Sequence, residues 1–422
     1  MVVLAVIALG LPPLAQAQSM EQATGADGSG SADADRARLE EEIRKELGAS
    51  PAGTRAQRDA PGAFAAEGGA SATMAGQGAT GGNALARLML MPDISAIGSF
   101  TGVYDGYDVE NRSPERGELF GKKDQPTFVF QEVEMGLQAV VDPYFRADMF
   151  VSFTPDGVDV EEAYATTLAL PGNLQVRAGK FFSPFGRMNQ QHPHVWEFVD
   201  PPLARGRLLA QEVLSGPGVV GSWLAPTPWF AQLELAAQDT APFDGLSPEL
   251  TGLGRLLQYF PLTDAASIGV GLSGARRHEG APGAFRDLGC IDVYVRDRPA
   301  SSRSYLAVQG ELYLRKFHDA PVPGGVSGET ESEKPEHGWW GQAFWRQDAF
   351  LGYGVRYEEA PAAGISAPGT ERRVGAVLDW YPSEFSRIAL EGSYDRLPGG
   401  RDGFEGLLHF EFGIGAHGAH PF

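Results

Sequence analysis

YLAVQGELYLRKF, residues Tyr305–Phe317, alternates apolar and polar side chains with a period of two. Leu306, Val308, Leu312 and Leu314 fall on one side, and Gln309, Glu311 and Arg315 on the other. Successive strand residues point to opposite faces, so this spacing predicts a half-apolar β-strand. YFRADMFVSF (Tyr144–Phe153) repeats it, with Phe145, Ala147, Met149, Val151 and Phe153 against Tyr144, Arg146, Asp148, Phe150 and Ser152. Glu132–Val141 sets Val133, Met135, Leu137, Ala139 and Val141 against an inward group that includes Glu132, Glu134 and Gln138. A soluble sandwich turns its apolar face to a core, whereas a membrane barrel turns it to lipid. Strand by strand both readings stay open.

The turns decide. Short ones fall at Asp142-Pro143, Pro171-Gly172-Asn173, Pro226-Thr227-Pro228, Pro261–Asp264, Arg298–Arg303, Gln347-Asp348 and Pro382–Glu384. Between them lie longer connections at about Asp105–Pro126, Ser183–Gly216, Thr240–Thr251, Ala275–Arg286, His318–Glu336, Ala360–Thr370 and Leu397–Gly403. One short connection, Thr154–Gly157, falls on the long side. Short turns on one rim and long loops on the other mark an outer-membrane β-barrel. The expected fold is an all-β, transmembrane antiparallel barrel of about 16 strands. Roughly 330 residues follow the N-terminal arm, about 20 per strand with its connection, and a tilted spanning strand needs about 9–11. Asp159–Leu170 alternates poorly and is the hardest strand to place. In the last strand, read over Leu408–Phe422, Leu408, Phe410, Phe412 and Ile414 share a face and the chain ends on Phe422. That pattern resembles the signal read by the outer-membrane assembly machinery. His417 and His420 lie in the same stretch.

Composition supports this reading. The 422 residues carry a formal net charge of −20, which argues against nucleic acid as a partner and favours cations. One cysteine, Cys290, excludes an intrachain disulfide and a cysteine-based metal cluster. No apolar run is long enough for a transmembrane helix. Val2–Leu11 is apolar and is followed by Ala15-Gln16-Ala17, so residues 1–17 are expected to be a signal peptide. Residues 18–92 read as a low-complexity periplasmic arm with a short amphipathic helix near 35–47, and residues 93–422 as the barrel. No enzyme is expected, because the chain has no G-x-S-x-G, Walker A or H-E-x-x-H motif.

One connection differs from the rest. Gly179–Leu203, GKFFSPFGRMNQQHPHVWEFVDPPL, starts as a strand and runs irregularly to Pro201-Pro202. It opens the longest connection, Ser183–Gly216, which is expected to fold inward and narrow the lumen. Arg187, Trp196, Arg205, Arg207 and Glu212 are the expected constriction residues. Arg187, Arg205 and Arg207 opposite Glu197, Asp200 and Glu212 would set up a transverse field that selects solutes, or would pair and hold the segment to the wall. Glu132, Glu134, Gln138, Arg146, Asp148, Arg177, Gln309, Glu311 and Arg315 are expected to face the lumen. In extended backbone His192 and His194 point the same way, and with Glu197 and Asp200 they would complete a tetrahedral shell. No cofactor is required, and zinc is the metal that such a shell suits.

VRAGKFFSPFGRMNQQHPHVWEFVDPPL (Val176–Leu203) resembles a group of bacterial outer-membrane proteins labelled zinc-regulated outer-membrane receptors. More remotely, Gly179-Lys180-Phe181 with Phe185-Gly186 resembles the phosphate-selective porins. The closer resemblance extends from about Ile94 to Phe422 and implies a β-barrel of a Gram-negative outer membrane. It also implies solute or metal uptake and a metal role for His192 and His194. Expected partners are outer-membrane lipid, small solutes or metal ions, the assembly machinery and further copies in a homotrimer. The functions carried forward are a diffusion channel, a zinc-binding uptake receptor without an open pore, and a structural or adhesin barrel.

Overall fold

The computed structural model describes residues 92–106, 124–209, 213–240, 249–279, 282–299, 303–319, 334–362, 369–398 and 401–415. The expected signal peptide, the expected arm with its helix up to residue 91, Glu212, His417, His420 and Phe422 lie outside them.

Sixteen strands are present: β1 (Asp93–Asp105), β2 (Pro126–Val140), β3 (Phe145–Thr154), β4 (Gly157–Thr167), β5 (Leu174–Phe182), β6 (Ser215–Leu224), β7 (Phe230–Thr240), β8 (Glu249–Pro261), β9 (Ala266–His278), β10 (Phe285–Asp297), β11 (Tyr305–His318), β12 (Glu336–Arg346), β13 (Leu351–Pro361), β14 (Thr370–Ser383), β15 (Ser386–Leu397) and β16 (Arg401–Ile414). Each pairs antiparallel with its neighbours in sequence, and β1 closes the ring on β16 from Ala96↔Ile414 to Asp105↔Glu405. Closure leaves no edge strand, so every strand finds ladder partners on both sides.

The strands are inside-out relative to a soluble protein. Along β14, Arg372, Val374, Ala376, Leu378 and Trp380 are exposed, while Glu371, Arg373, Gly375, Val377 and Asp379 are buried. On β11 Leu306, Val308 and Leu314 face outward, and Gln309 and Glu311 are buried. The apolar faces therefore form the outer wall and the charged faces line the lumen, as a transmembrane barrel requires. On β16 Leu408, Phe412 and Ile414 are exposed, and of the expected last strand residues 416–422 lie outside the described residues.

The poor alternation near Asp159 has a structural cause. On β3 and β4, Phe150 pairs with Glu162 and Val151 with Val160, so Glu161 is an extra residue in the ladder. Such a bulge shifts the parity of the strand and re-aims side chains. A second bulge between Ser99 and Phe100 on β1 leaves Gln131 of β2 as the extra residue.

Candidate functional site: the segment across the lumen

Between β5 and β6 the chain turns into the barrel. It forms 3₁₀ turns at Met188–Gln190 and Pro193–Val195 and one helix, α1 (Leu203–Leu208), whose residues are all buried. Gly186 makes the first sharp turn at φ 64°, in the left-handed region that glycine adopts without strain. Here the backbone N–H groups of Arg187 and Met188 donate to Glu311 Oε1 of β11, at 2.6 and 2.8 Å. Asn189 ties the neck of the segment. Its Nδ2 donates to the carbonyls of Ser183 and Leu214, and its Oδ1 accepts from Leu214 N–H.

Two apolar clusters seat the segment. Phe185, Met188, Trp196, Leu203, Leu208 and Leu214 pack against Leu253, Leu288, Tyr313 and Trp340 of β8 and β10–β12. Phe198 and Val199 pack against Val103, Phe344, Val377, Ala389 and Leu407 of β1, β12 and β14–β16. Apolar side chains inside a charged lumen find each other because burial stabilises each by about 1.5–3 kcal/mol.

Polar contacts fix the rest. Asp200, fully buried, is ion-paired with Arg356 of β13 and, at 2.7 Å, with Arg373 of β14. Leu203 N–H donates to Glu358, and Val199 N–H donates to Glu391. Arg387 of β15 donates to the carbonyls of Trp196 and Glu197 at 2.8 and 2.7 Å. Glu197 Oε2 accepts from Gln309 and Gln342, at 2.9 and 3.0 Å. Loss of water around the Glu197 carboxyl pushes its pKa above the usual carboxylate value, and Arg187 and Arg387 only partly oppose this.

The four expected metal ligands do not converge. Glu197 is held by two glutamines and Asp200 by two arginines. The histidines are not in one extended run, because His194 sits in a 3₁₀ turn, and the ring centroids lie 5.8 Å apart. His192 meets a different set. Its Nδ1 lies 2.8 Å from Glu134 Oε2 and 3.0 Å from Glu161 Oε2, and its Nε2 lies 2.9 Å from Glu162 Oε2. Phe182 stacks on the ring at 4.4 Å and Phe150 tilts against it. Burial by itself would lower the His192 pKa, but the hydrogen bonds to Glu134, Glu161 and Glu162 carry it well above 6.5.

Arg187, Trp196, Arg205 and Arg207 of the expected constriction residues lie on this segment among the described residues, and Arg187 and Arg207 reach the wall. Arg207 bonds Glu371 and the carbonyl of Pro361, and Arg187 stacks on Tyr294 at 3.9 Å with its Nε toward Gln309. Arg205 lies over Trp196, whose indole N–H donates to Gln191 O. Of the expected lumen residues, Glu134, Gln309 and Glu311 touch the segment directly, and Arg315 donates to the Arg207 carbonyl. Arg146 pairs with Asp148 and reaches Gln138, Arg177 lies over Tyr164, and Glu132 accepts from Ser152.

Sequence reasoning passed over Glu161, Glu162, Asn189, Arg356, Arg373 and Arg387. The carboxylates stood in the strand whose parity the bulge disturbs. The arginines stood at inward positions of well-patterned strands, but nothing local pointed to Asp200. A second group, Cys290, Asp292 and Glu311, also brings ligand atoms within 4.8 Å of one another. Its two carboxylates are engaged: Asp292 takes both Nη groups of Arg255, and Glu311 takes the Arg187 and Met188 N–H groups.

Among solved structures, the chain shares its fold with the outer membrane channel DcaP of Acinetobacter baumannii (TM-score 0.55, 12 % identity, 76 % of this chain and 97 % of that one). The anion-selective porin from Comamonas acidovorans is also similar (TM-score 0.52, 9 % identity, 76 % and 99 %). So is a loop-deletion form of OmpT of Vibrio cholerae (TM-score 0.51, 11 % identity, 77 % and 100 %). At these identities the likeness is one of fold. No family model matches the chain. An uncharacterized protein of Aquifex aeolicus (strain VF5) is 34 % identical over 349 residues, which cover 73 % of this chain and 72 % of the relative. The chain belongs to the same family as that Aquifex aeolicus protein.

Proposed function

We propose that this protein is a porin-like channel in the outer membrane of a Gram-negative bacterium. It passes small solutes or ions by diffusion, and the segment 183–216 sets what passes. The observation that carries this reading is the inward-folded segment, which lies within a closed 16-strand ring and is fastened by ion pairs to the opposite wall. A charged constriction inside a barrel selects solutes by size and field. The exposed apolar face of the strands suits outer-membrane lipid, and the outward face of β16 suits the assembly machinery. The fold is also compatible with a homotrimer. No catalytic role is proposed.

The test is single-channel current from the purified, folded chain in a planar bilayer. Discrete conductance steps with a measurable ion preference are expected, and Asp200→Asn should enlarge them. Complete absence of steps from folded, inserted protein would sink the channel. It would favour the second reading, a metal-uptake receptor without an open pore, which is supported by His192 among the carboxylates.

A further inference from the structure

The geometry points to a divalent metal-ion site between the inward-folded segment and the β2–β4 wall, with His192 Nδ1, Glu134 Oε2 and Glu161 Oε2 as ligands and His194 beside them. This site replaces Glu197 and Asp200 as ligands and stands whether or not the pore conducts.

The donor atoms converge from three separate pieces of chain. Glu134 comes from β2, Glu161 from β4 and His192 from the inward segment, and the three ligand atoms all lie within 4.8 Å of one another. A transition-metal ion with bonds of about 2.0–2.2 Å in tetrahedral array holds its ligand atoms about 3.3–3.5 Å apart. The 2.8 and 3.0 Å separations need to open by only a few tenths of an ångström. A second imidazole faces the same oxygen: His194 Nδ1 lies 3.6 Å from Glu134 Oε2, with its side chain only 7 % exposed. That spacing already suits two atoms on one ion and is longer than a hydrogen bond.

Two further features fit a metal rather than a simple ion pair. First, an ion that displaces the Nδ1 proton of His192 would leave Nε2–H on Glu162 and free the Nδ1 lone pair toward Glu134 and Glu161. Metal-bound histidines are commonly held this way, by a carboxylate on the other ring nitrogen. Glu162 is itself fixed, since its Oε1 accepts from Phe182 N–H at 2.8 Å. Second, the bulge sends adjacent residues Glu161 and Glu162 to the same imidazole, whereas a regular strand would point them to opposite faces. Glu132 joins them through Ser152, whose hydroxyl bridges Glu132 and Glu161. Four carboxylates thus gather around one imidazole. Glu134 and Glu162 are buried and Glu132 and Glu161 partly so, and His192 as a cation offsets only one of these charges, whereas a divalent ion would offset more of an excess that burial makes costly. The mixed imidazole and carboxylate set suits zinc or manganese better than magnesium, which prefers oxygen ligands alone.

The experiment is titration of the folded full-length chain in detergent with Co²⁺, as a spectroscopic stand-in, and with Zn²⁺ by calorimetry. Folding of each variant is checked by its heat-modifiable migration. One ion per chain with a tetrahedral Co²⁺ spectrum is expected. His192→Ala and Glu161→Gln should each weaken binding at least tenfold, and the His417→Ala/His420→Ala double variant should bind as wild type does. No saturable binding by the wild type overturns the site, whatever the variants do. Binding that survives both His192→Ala and Glu161→Gln, or is lost with His417 and His420, overturns it as well. Binding without conductance removes the channel and keeps the site, and conductance without binding does the reverse.

Discussion

Asp200 and Arg373, 173 residues apart in sequence, form a fully buried ion pair of 2.7 Å between the inward segment and β14. Arg373 also grips Asp395 of β15 at 2.7 and 2.8 Å, and Asp200 also holds Arg356 of β13. One carboxylate thus ties the segment to two strands directly and to a third through Arg373.

Asp200→Asn should loosen that tie. Removing one partner of a buried pair leaves the others uncompensated and typically costs about 3–5 kcal/mol. The expected result is a lower unfolding temperature in detergent together with larger or noisier conductance steps. Unchanged stability and unchanged current would show that the pair does not hold the segment.

Glu197 gives a pH dependence whose sign follows from its burial. Its folded pKa is raised, chiefly by burial, so the native state binds the proton more tightly than the unfolded chain. Its favourable contribution is therefore complete below the unfolded value of about 4.3 and is lost as pH rises through the folded value. Glu197→Gln keeps an oxygen for Gln309 and Gln342 but cannot ionise. The variant should match wild type at pH 4 and exceed it at pH 7.5, as read by denaturant unfolding at both pH values. A difference that is constant with pH would contradict the assignment.

Asn189→Ala strips three hydrogen bonds from the neck where the segment leaves and rejoins the wall. Stranding a buried backbone group costs about 1–3 kcal/mol. A loss in that range or above is expected from equilibrium unfolding. Asn189→Asp keeps the shape and one acceptor but not the donor, and should rescue little.

Gly186→Ala meets two obstacles. The φ of 64° is unfavourable for a residue with a Cβ by about 1–2 kcal/mol. A Cβ there would also stand 3.2 Å from both Glu311 Oε1 and Cys290 Sγ. The substitution should push the turn off Glu311 and lower stability, while Gly221→Ala, where a Cβ meets nothing within 4 Å, should be nearly silent. Comparing the two unfolding curves checks this.

The fold was legible because barrels write themselves in two local signals, period-two strands and alternating turn lengths. Leu306, Val308 and Leu314 on one face of β11, with Gln309 and Glu311 on the other, are set by side-chain direction alone. The inward segment was legible as the long, proline-broken exception. Its contacts were not, because Asp200 meets arginines more than 150 residues away and no local pattern encodes which wall faces which loop. Glu161 and Glu162 were missed for a different reason: one inserted residue reverses parity, and a strict alternation rule reads past it.

The anchoring of the segment also fixes an order in time. Residues 183–214 leave the ribosome before β13–β15, yet Val199, Leu203 and Asp200 make polar contacts with Glu391, Glu358 and Arg356 on those strands, at separations of 192, 155 and 156 residues. Contacts so distant in sequence form late and slowly. The segment must therefore wait, with Asp200 still solvated, until the last quarter of the ring arrives to clasp it. The closure of β16 on β1 then seals in a part that was made before most of the ring and finished last.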